Sequence, residues 1–219
     1  MNRVPSLLVA AACGVLASVS AHAEKHDVAA KIGALGLGVE YGRAFGDRLA
    51  LRVGLNGGGF GFDAEESGIA YDFDLSWDSL SAAVDFHPRA KALRVTAGLL
   101  RNGNGLDAVS RATSNVEVGS RVYTPDEVGT LRAETSFRSI APFAGIGWDW
   151  SRSNRFFGVS FDLGVLDQGS PKVSLTADGG LVADPQFADD VAAEQAELNG
   201  SLKDFELVPY ATLGFVFHF

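Results

Sequence analysis

The sequence predicts an all-β protein: an eight-stranded antiparallel up-and-down transmembrane β-barrel with extracellular loops, one of which carries a short helix. Three observations support this prediction. The chain begins with an export signal, most of the remainder alternates apolar with small or polar residues, and the last residue is an aromatic that closes an amphipathic strand. Together these features are typical of a membrane barrel.

The first 23 residues have the organisation of a secretory signal peptide. Arg3 supplies a basic start, an apolar stretch follows, and Ala21-His22-Ala23 forms a small-x-small cleavage site. A lipoprotein signal is the alternative, because Cys13 follows three alanines, but the large apolar residue expected three places before that cysteine is absent. We therefore predict a signal peptide at 1–23 and a barrel at 24–219.

Composition narrows the classes of function. Cys13 is the single cysteine, so the mature chain has no disulfide and no cysteine metal site, and we expect no cofactor. The net charge is −9, and removal of Arg3 with the signal peptide makes it one unit more negative, which argues against a nucleic-acid partner. No run of about 18 apolar residues follows the signal, which excludes a helical membrane span.

The alternation is clearest between residues 49 and 56. Leu49, Leu51 and Val53 share one face, whereas the intervening positions carry Ala50 and Arg52 and then glycine. In a soluble sandwich the second face would be covered by long polar side chains. Small residues suit the narrow interior of a closed barrel instead, with the apolar face turned to lipid.

Repetition of this pattern predicts eight strands, at 27–33, 36–45, 48–62, 69–87, 92–105, 137–150, 155–173 and 205–219. The connections after the second, fourth and sixth strands are short, as periplasmic turns are. Those after the fifth and seventh are long and form external loops at about 102–136 and 178–204. Many aromatic residues then fall at the predicted periplasmic level, as an interface girdle would: Tyr41, Phe45, Phe86, Trp148, Trp150, Phe156, Phe157, Phe217 and Phe219.

The external loops contain two local signals and many acids. Residues 116–118 and 121–123 predict a small hairpin, and Asp184 followed by Pro185 predicts a capped helix that runs to Leu198. The predicted acidic outer surface comprises Asp63, Glu65, Glu66, Asp178, Asp184, Asp189, Asp190, Glu194 and Glu197. Such a surface attracts small cationic solutes or the divalent ions that bridge lipopolysaccharide; simple solvation is the alternative.

The C-terminal strand has the form of an assembly signal. Phe219 is preceded at alternate places by Phe217, Phe215 and Leu213. A terminal aromatic on an amphipathic strand is typical of outer-membrane barrels and would be recognised by the barrel assembly machinery. We therefore expect a monomer in the outer membrane of a Gram-negative-type bacterium, with outer-membrane lipid and lipopolysaccharide as its surroundings.

Strand parity turns six charged side chains inward among glycines: Glu40, Arg52, Asp85, Arg94, Asp149 and Asp162. Charges of both signs in a poorly solvated interior predict paired groups, because an unpaired charge there is costly. An eight-stranded barrel has little room for water beside its side chains. A structural plug of ion pairs is the first interpretation of this lumen charge network, and a solute path is the second.

Several segments resemble a known family. They are residues 139–148 (SIAPFAGIGW), 169–175 (GSPKVSL), an acidic helix ahead of Val208-Pro209, and 118–123 (VGSRVY) ahead of 128–131. They resemble the carbapenem-associated outer-membrane proteins, a family of ornithine-uptake porins. The resemblance implies an eight-stranded barrel and uptake of small cationic solutes, and it supplies no catalytic residue.

Two functions therefore compete. The first is a narrow porin for small cationic solutes such as basic amino acids; the second is a non-conducting structural or surface-interaction barrel. An enzyme that modifies lipid A is not expected, because His26, His87 and His218 all map to the periplasmic end, away from such substrates. A metal site at His26 and His218 is not expected either, since no third ligand is evident.

Deletion of Phe219 tests the assembly signal. We expect less assembled barrel in the outer-membrane fraction with unchanged signal-peptide cleavage, because export precedes recognition of the last strand. Quantitative immunoblotting of fractionated cells measures both, and Phe219→Tyr, which keeps a terminal ring, is the matched control. Normal barrel yield after the deletion would contradict the assignment.

Overall fold

The computed structural model of the chain describes residues 26–66, 69–89, 92–112, 114–150 and 156–219. The predicted signal peptide lies outside these residues. In chain order the elements are β1 (His26–Gly33), β2 (Gly36–Phe45), β3 (Leu49–Glu66), β4 (Ile69–Phe86), β5 (Leu93–Asn102), β6 (Gly105–Ala112), β7 (Val116–Val118), β8 (Arg121–Tyr123), α1 (Pro125–Val128), β9 (Thr130–Ser136), β10 (Ile140–Asp149), β11 (Phe157–Asp167), β12 (Lys172–Ala177), α2 (Pro185–Leu202) and β13 (Leu207–His218).

Eight of these strands close into an antiparallel barrel, in the order β1-β2-β3-β4-β5-β10-β11-β13. The first and last strands pair with each other, from Asp27 opposite His218 to Gly33 opposite Thr212, and so complete the ring. Closure leaves no unpaired edge within the ring, which is the condition for a sheet in lipid. The predicted eight-stranded barrel is confirmed.

The alternation of the sequence becomes two faces of the barrel wall. On β3, Leu51 and Leu55 are exposed on the outside, and Arg52 between them is buried inside. The same outside face carries exposed aliphatic and aromatic residues on the other barrel strands. Among the described residues, no helix is both long and apolar enough to cross a membrane.

β3 and β4 continue beyond the barrel, where three further strands, β6, β9 and β12, join them. From the sequence, β6 and β9 were expected to lie in a loop, and the start of β12 in the seventh barrel strand. β4 pairs with β6 beyond the point where it leaves β5, β6 pairs with β9, and β9 pairs with β12. We call this five-stranded surface the outer sheet: residues 57–66 of β3, 69–78 of β4, and β6, β9 and β12. The predicted long loop at about 102–136 is therefore largely β-structure.

The predicted strand at 155–173 is wrong in length. β11 ends at Asp167, and a turn follows in which the Gly169 N–H donates to the Asp167 carboxylate at 3.1 Å. Gly169 has a φ of 67°, a conformation that favours glycine. The chain leaves the barrel here, and β12 joins the outer sheet from Lys172 onward.

The loops beyond the outer sheet have a core of their own. Val118, Tyr123, Val128 and Phe187 form a buried cluster that joins the β7–β8 hairpin to both helices. The pairing of β7 with β8 confirms the predicted hairpin. The Tyr123 hydroxyl donates to the Asp190 carboxylate, and this hydrogen bond, with burial, raises the pKa of the Tyr123 phenol.

Helix α2 begins as the sequence predicts and runs farther. Asp184 accepts hydrogen bonds from the N–H groups of Gln186 and Phe187, and Pro185 occupies the first turn. The helix passes Leu198 and ends at Leu202.

The C-terminal half of α2 covers the edge of β12. The Val173 N–H donates to the Asn199 side chain at 2.9 Å, and the Leu175 N–H donates to the Gln195 side chain at 2.9 Å. The Asn199 amide donates to the Val173 carbonyl at 2.9 Å. Side chains of α2 thus satisfy backbone groups that a further strand would otherwise bind.

Candidate functional site: the barrel interior

The barrel strands direct charged side chains into a common layer near the middle of the lumen. Arg52, Asp85, Arg94 and Asp162 are between 1% and 6% exposed, and Glu40 is 9% exposed. They come from five different strands, so the layer exists only when the barrel is closed. Glycines opposite them make the space.

Gly147 shows how tight that space is. A Cβ placed on Gly147 would lie 2.4 Å from the Asp162 carboxylate and 2.7 Å from the Arg94 Nε. Any side chain at this position would displace the ion pair between those two residues. The glycine-rich inward faces therefore serve to hold long charged side chains inside a narrow ring.

Arg52 is the hub of the layer. Its Nε and Nη2 donate to the two oxygens of Asp85 at 2.5 and 2.9 Å, a bidentate ion pair. Its Nη1 donates to Glu40 at 2.8 Å and lies 3.5 Å from the Asp162 carboxylate. The Thr96 hydroxyl donates to Asp85 at 2.6 Å and accepts from Arg52 at 3.2 Å.

Arg94 and Lys31 extend the network to both sides. Arg94 Nη2 donates to Asp162 at 2.7 Å, and Nη1 lies 3.5 Å from Asp149. Lys31 Nζ lies 3.0 Å from Asp162 and 3.2 Å from Glu40. Seven ionic side chains, three cationic and four anionic, are thereby linked across the lumen.

The structure brings together all six residues of the predicted lumen charge network and adds Lys31, which sequence reasoning missed. Strand parity would have identified Lys31. It shares a face of β1 with Ala29 and Gly33, and Ala29 is 2% exposed, so that face points inward. Thr96 was missed for a different reason. A lone threonine on a strand gives no indication that it bridges an ion pair.

A layer of apolar side chains lies inside the barrel, on the extracellular side of the charged layer. Leu100, Ala141, Leu166 and Tyr210 form a buried cluster inside the barrel, and Leu35 and Phe143 pack against it. The Tyr210 and Phe143 rings meet edge to face at 5.9 Å.

A small cavity separates the two layers, since both Arg52 and Tyr210 line it. Its volume is about 30 Å³. A cavity of this size has room for about two water molecules.

The predicted acidic outer surface separates into exposed and structural residues. Asp63 and Glu65 are exposed on β3, Asp189 and Glu197 are exposed on α2, and the Glu66 side chain lies outside the described residues. Four others have partners within the outer structure. Asp178 accepts from the Thr130 N–H at 2.6 Å, Asp184 caps α2, Asp190 binds Tyr123, and Glu194 accepts from the Gly119 N–H at 3.1 Å.

The residues of the predicted assembly signal lie on the outside of the closing strand. Leu213, Phe215 and Phe217 are 42% to 56% exposed on β13, and the Phe219 N–H donates to the His26 carbonyl at 3.0 Å. His26 accepts from or donates to the Tyr41 hydroxyl at 2.6 Å. In the described part of the chain, no group of three or more His, Cys, Asp or Glu side chains is arranged to hold a metal ion.

Replacement of a lumen arginine tests the network. We expect Arg52→Ala or Arg94→Ala to lower the free energy of unfolding by about 3 to 5 kcal/mol, because each change strands buried carboxylates. Arg111, whose exposed ion pair with Asp72 spans 2.6 Å, is the matched control. Arg111→Ala should cost about 0 to 1 kcal/mol. Urea unfolding in lipid vesicles measures all three, and equal costs would contradict a buried network.

No protein-family model and no curated protein matches the chain. Solved structures do match. CarO2 of Acinetobacter baumannii has a TM-score of 0.61 and 20% identity, covering 91% of this chain and 100% of that chain. CarO of the same organism has a TM-score of 0.60 and 20% identity, covering 90% and 98%. Both are carbapenem-associated outer-membrane proteins, the group that the sequence motifs resemble. The chain shares their eight-stranded barrel fold.

Proposed function

We propose that this protein is a non-conducting outer-membrane barrel that anchors and displays a folded extracellular sheet. One observation carries the proposal: the lumen is filled by a layer of ion pairs beneath a layer of apolar side chains. The alternative is a narrow porin for small cationic solutes.

The cost of opening the lumen favours the sealed barrel. A solute on its way through would have to separate contacts such as Arg52 with Asp85 and also move Leu100 and Tyr210 aside. In a buried pair of this kind, loss of one partner costs about 3 to 5 kcal/mol, because the other charge is left uncompensated. Because the pairs share members, rearranging one disturbs its neighbours.

The length of the central hairpin supports a display role. β3 and β4 are 18 residues each, whereas a strand needs about 9 to 11 residues to cross a membrane. The excess is built into the outer sheet, and the loops beyond it have a buried core and a capped helix. A structure of this extent outside the membrane is more than a connection between strands requires.

The exposed band on the barrel wall supports placement in a membrane. Leu55, Leu99 and Phe215 are 55% to 63% exposed on the outside of the ring. A continuous apolar surface of this kind on a soluble protein would cause association. Lipid and lipopolysaccharide are the surroundings that we propose, with export by the signal peptide and insertion by the assembly machinery. The proposal includes a monomer and assigns no catalytic role.

Two features favour the porin alternative. The lumen network has one more carboxylate than cationic side chains, and exposed acids such as Asp63 and Glu65 lie outside the barrel. Both would attract a cation such as ornithine. Under this alternative the charge network is a gate that opens during transport.

Solute flux separates the two functions. We expect vesicles that contain the folded protein to show no swelling above protein-free vesicles in ornithine, glycine or an anionic solute, because both lumen layers block the path. Arg52→Ala tests the two layers separately, since it removes the hub of the charged layer and leaves the apolar layer in place; we expect it to show no swelling either. Ornithine flux through the unmodified protein, greater than glycine flux, would contradict the proposal and favour the gated porin.

A further inference from the structure

One edge of the outer sheet is open. The pairing of β2 with β3 ends where Leu37 lies opposite Gly57. From Gly58 to Glu66, β3 pairs with β4 on one side, and on the other side no strand of the described chain pairs with it. This segment is therefore an edge strand of nine residues that stands outside the barrel.

The backbone groups at this edge can be assigned from the antiparallel ladder. The His87 N–H donates to the Arg48 carbonyl at 2.8 Å, and the register from that pair to the tip is unbroken. Bonded and non-bonded pairs alternate along an antiparallel ladder, so even-numbered residues of β3 bond to β4. The N–H and C=O groups of Gly59, Gly61, Asp63 and Glu65 consequently point to the open edge.

The two edges of the outer sheet differ. At β12 the side chains of Asn199 and Gln195 occupy the edge backbone. At β3 the sequence from 57 to 66 (GGGFGFDAEE) has no proline, and its first six residues carry no charge, whereas natural proteins use charged side chains and proline to blunt an exposed edge. The chain closes one edge and leaves the other able to accept a strand.

One face of the open edge is aromatic. Phe60 is 60% exposed and Phe62 is 45% exposed. Phe62 stacks on Phe73 with ring centroids 4.9 Å apart, and Tyr71 follows Phe73 at 6.0 Å. Phe60 and Phe62 each leave about half of their surface exposed, so an added strand could bury apolar side chains against these two rings.

The opposite face of the same edge is acidic. Asp63 and Glu65 follow Phe62 at odd-numbered positions, which places them on the face opposite to Phe60 and Phe62, and Asp63 lies directly opposite Asp72. Arg111 pairs with Asp72 at 2.6 Å, and Asp63 and Glu65 are exposed at the edge. A partner strand that carries basic side chains on this face would relieve repulsion between the acids.

Resting on the display function above, we propose that the open edge of β3 binds an extended basic segment of a partner protein as an additional strand. Alternate apolar side chains of that segment cover Phe60 and Phe62, and lysines or arginines lie opposite Asp63 and Glu65. Main-chain hydrogen bonds supply the attachment, and the two faces fix its register. A second copy of this chain fits less well, because it would bring two acidic edges together.

Peptide binding to the intact protein in lipid nanodiscs tests the proposal. The probe is a fluorescent nine-residue peptide of alternating valine and lysine, compared with a peptide of the same composition in blocks and with an alternating valine–glutamate peptide. Fluorescence anisotropy should show saturable binding of the alternating basic peptide and at least about tenfold weaker binding of the other two.

Two sets of variants separate backbone pairing from charge attraction. Gly61→Pro removes an edge N–H that β4 does not use and should abolish binding, with barrel folding checked by gel mobility before and after heating. Asp63→Asn with Glu65→Gln should weaken binding about tenfold and reduce its salt dependence. The charge-matched control, Asp189→Asn with Glu197→Gln on α2, should leave binding unchanged.

The proposal is overturned by equal binding of the blocked peptide, by undiminished binding to folded Gly61→Pro, or by equal losses from the α2 control. Self-association of the unmodified protein that Gly61→Pro abolishes would assign the edge to a second copy and overturn the basic partner. Flux measured on the same preparation keeps the proposed function separate. If the protein conducts solute and binds the peptide, only the proposed non-conducting function is contradicted. If it shows no flux and does not bind the peptide, only the proposed binding at the edge of β3 is contradicted.

Discussion

The burial of seven ionic side chains inside a ring of eight strands is the constraint on which the rest of the structure depends. Arg52 can remain charged there because Asp85 and Glu40 satisfy its donors from neighbouring strands. The pair of Arg94 with Asp162 requires glycine at Gly147, and the pair of Lys31 with Asp162 forms where the two ends of the sheet meet. The inward face is therefore small because the charged residues are long, and the charge layer is complete only in the closed barrel.

The proposed function gives the loops a different role from those of a porin. A porin needs its loops to shape an entrance, whereas a sealed barrel, as proposed, leaves them free to form structure. In this chain β3 and β4 continue outward, recruit β6, β9 and β12, and end against a separate core around Phe187. Side chains of α2 hydrogen-bond to the backbone at one edge of the outer sheet, and the other edge, at β3, is the one that we propose adds a strand.

Local pattern was enough to predict the barrel and much of its interior. The alternation around Leu51 and Arg52 fixed the two faces of β3, and the same parity turned Asp85 and Asp162 inward. The outer sheet could not be predicted in this way, because β6, β9 and β12 are joined by pairings between distant segments. Lys31 was missed although parity applies to it, since its short strand contains Ala29 and Ala30, which give a weak pattern.

A double-mutant cycle at Arg52 and Asp85 tests the central claim most directly. Arg52→Met and Asp85→Asn are each expected to cost several kcal/mol of unfolding free energy, because each strands the charge of the other. We expect the double variant to cost about 1 to 3 kcal/mol less than the two single costs together, when unfolding is measured in the same lipid vesicles. Costs that add to within about 0.5 kcal/mol would show that the two charges do not depend on each other and would contradict the account.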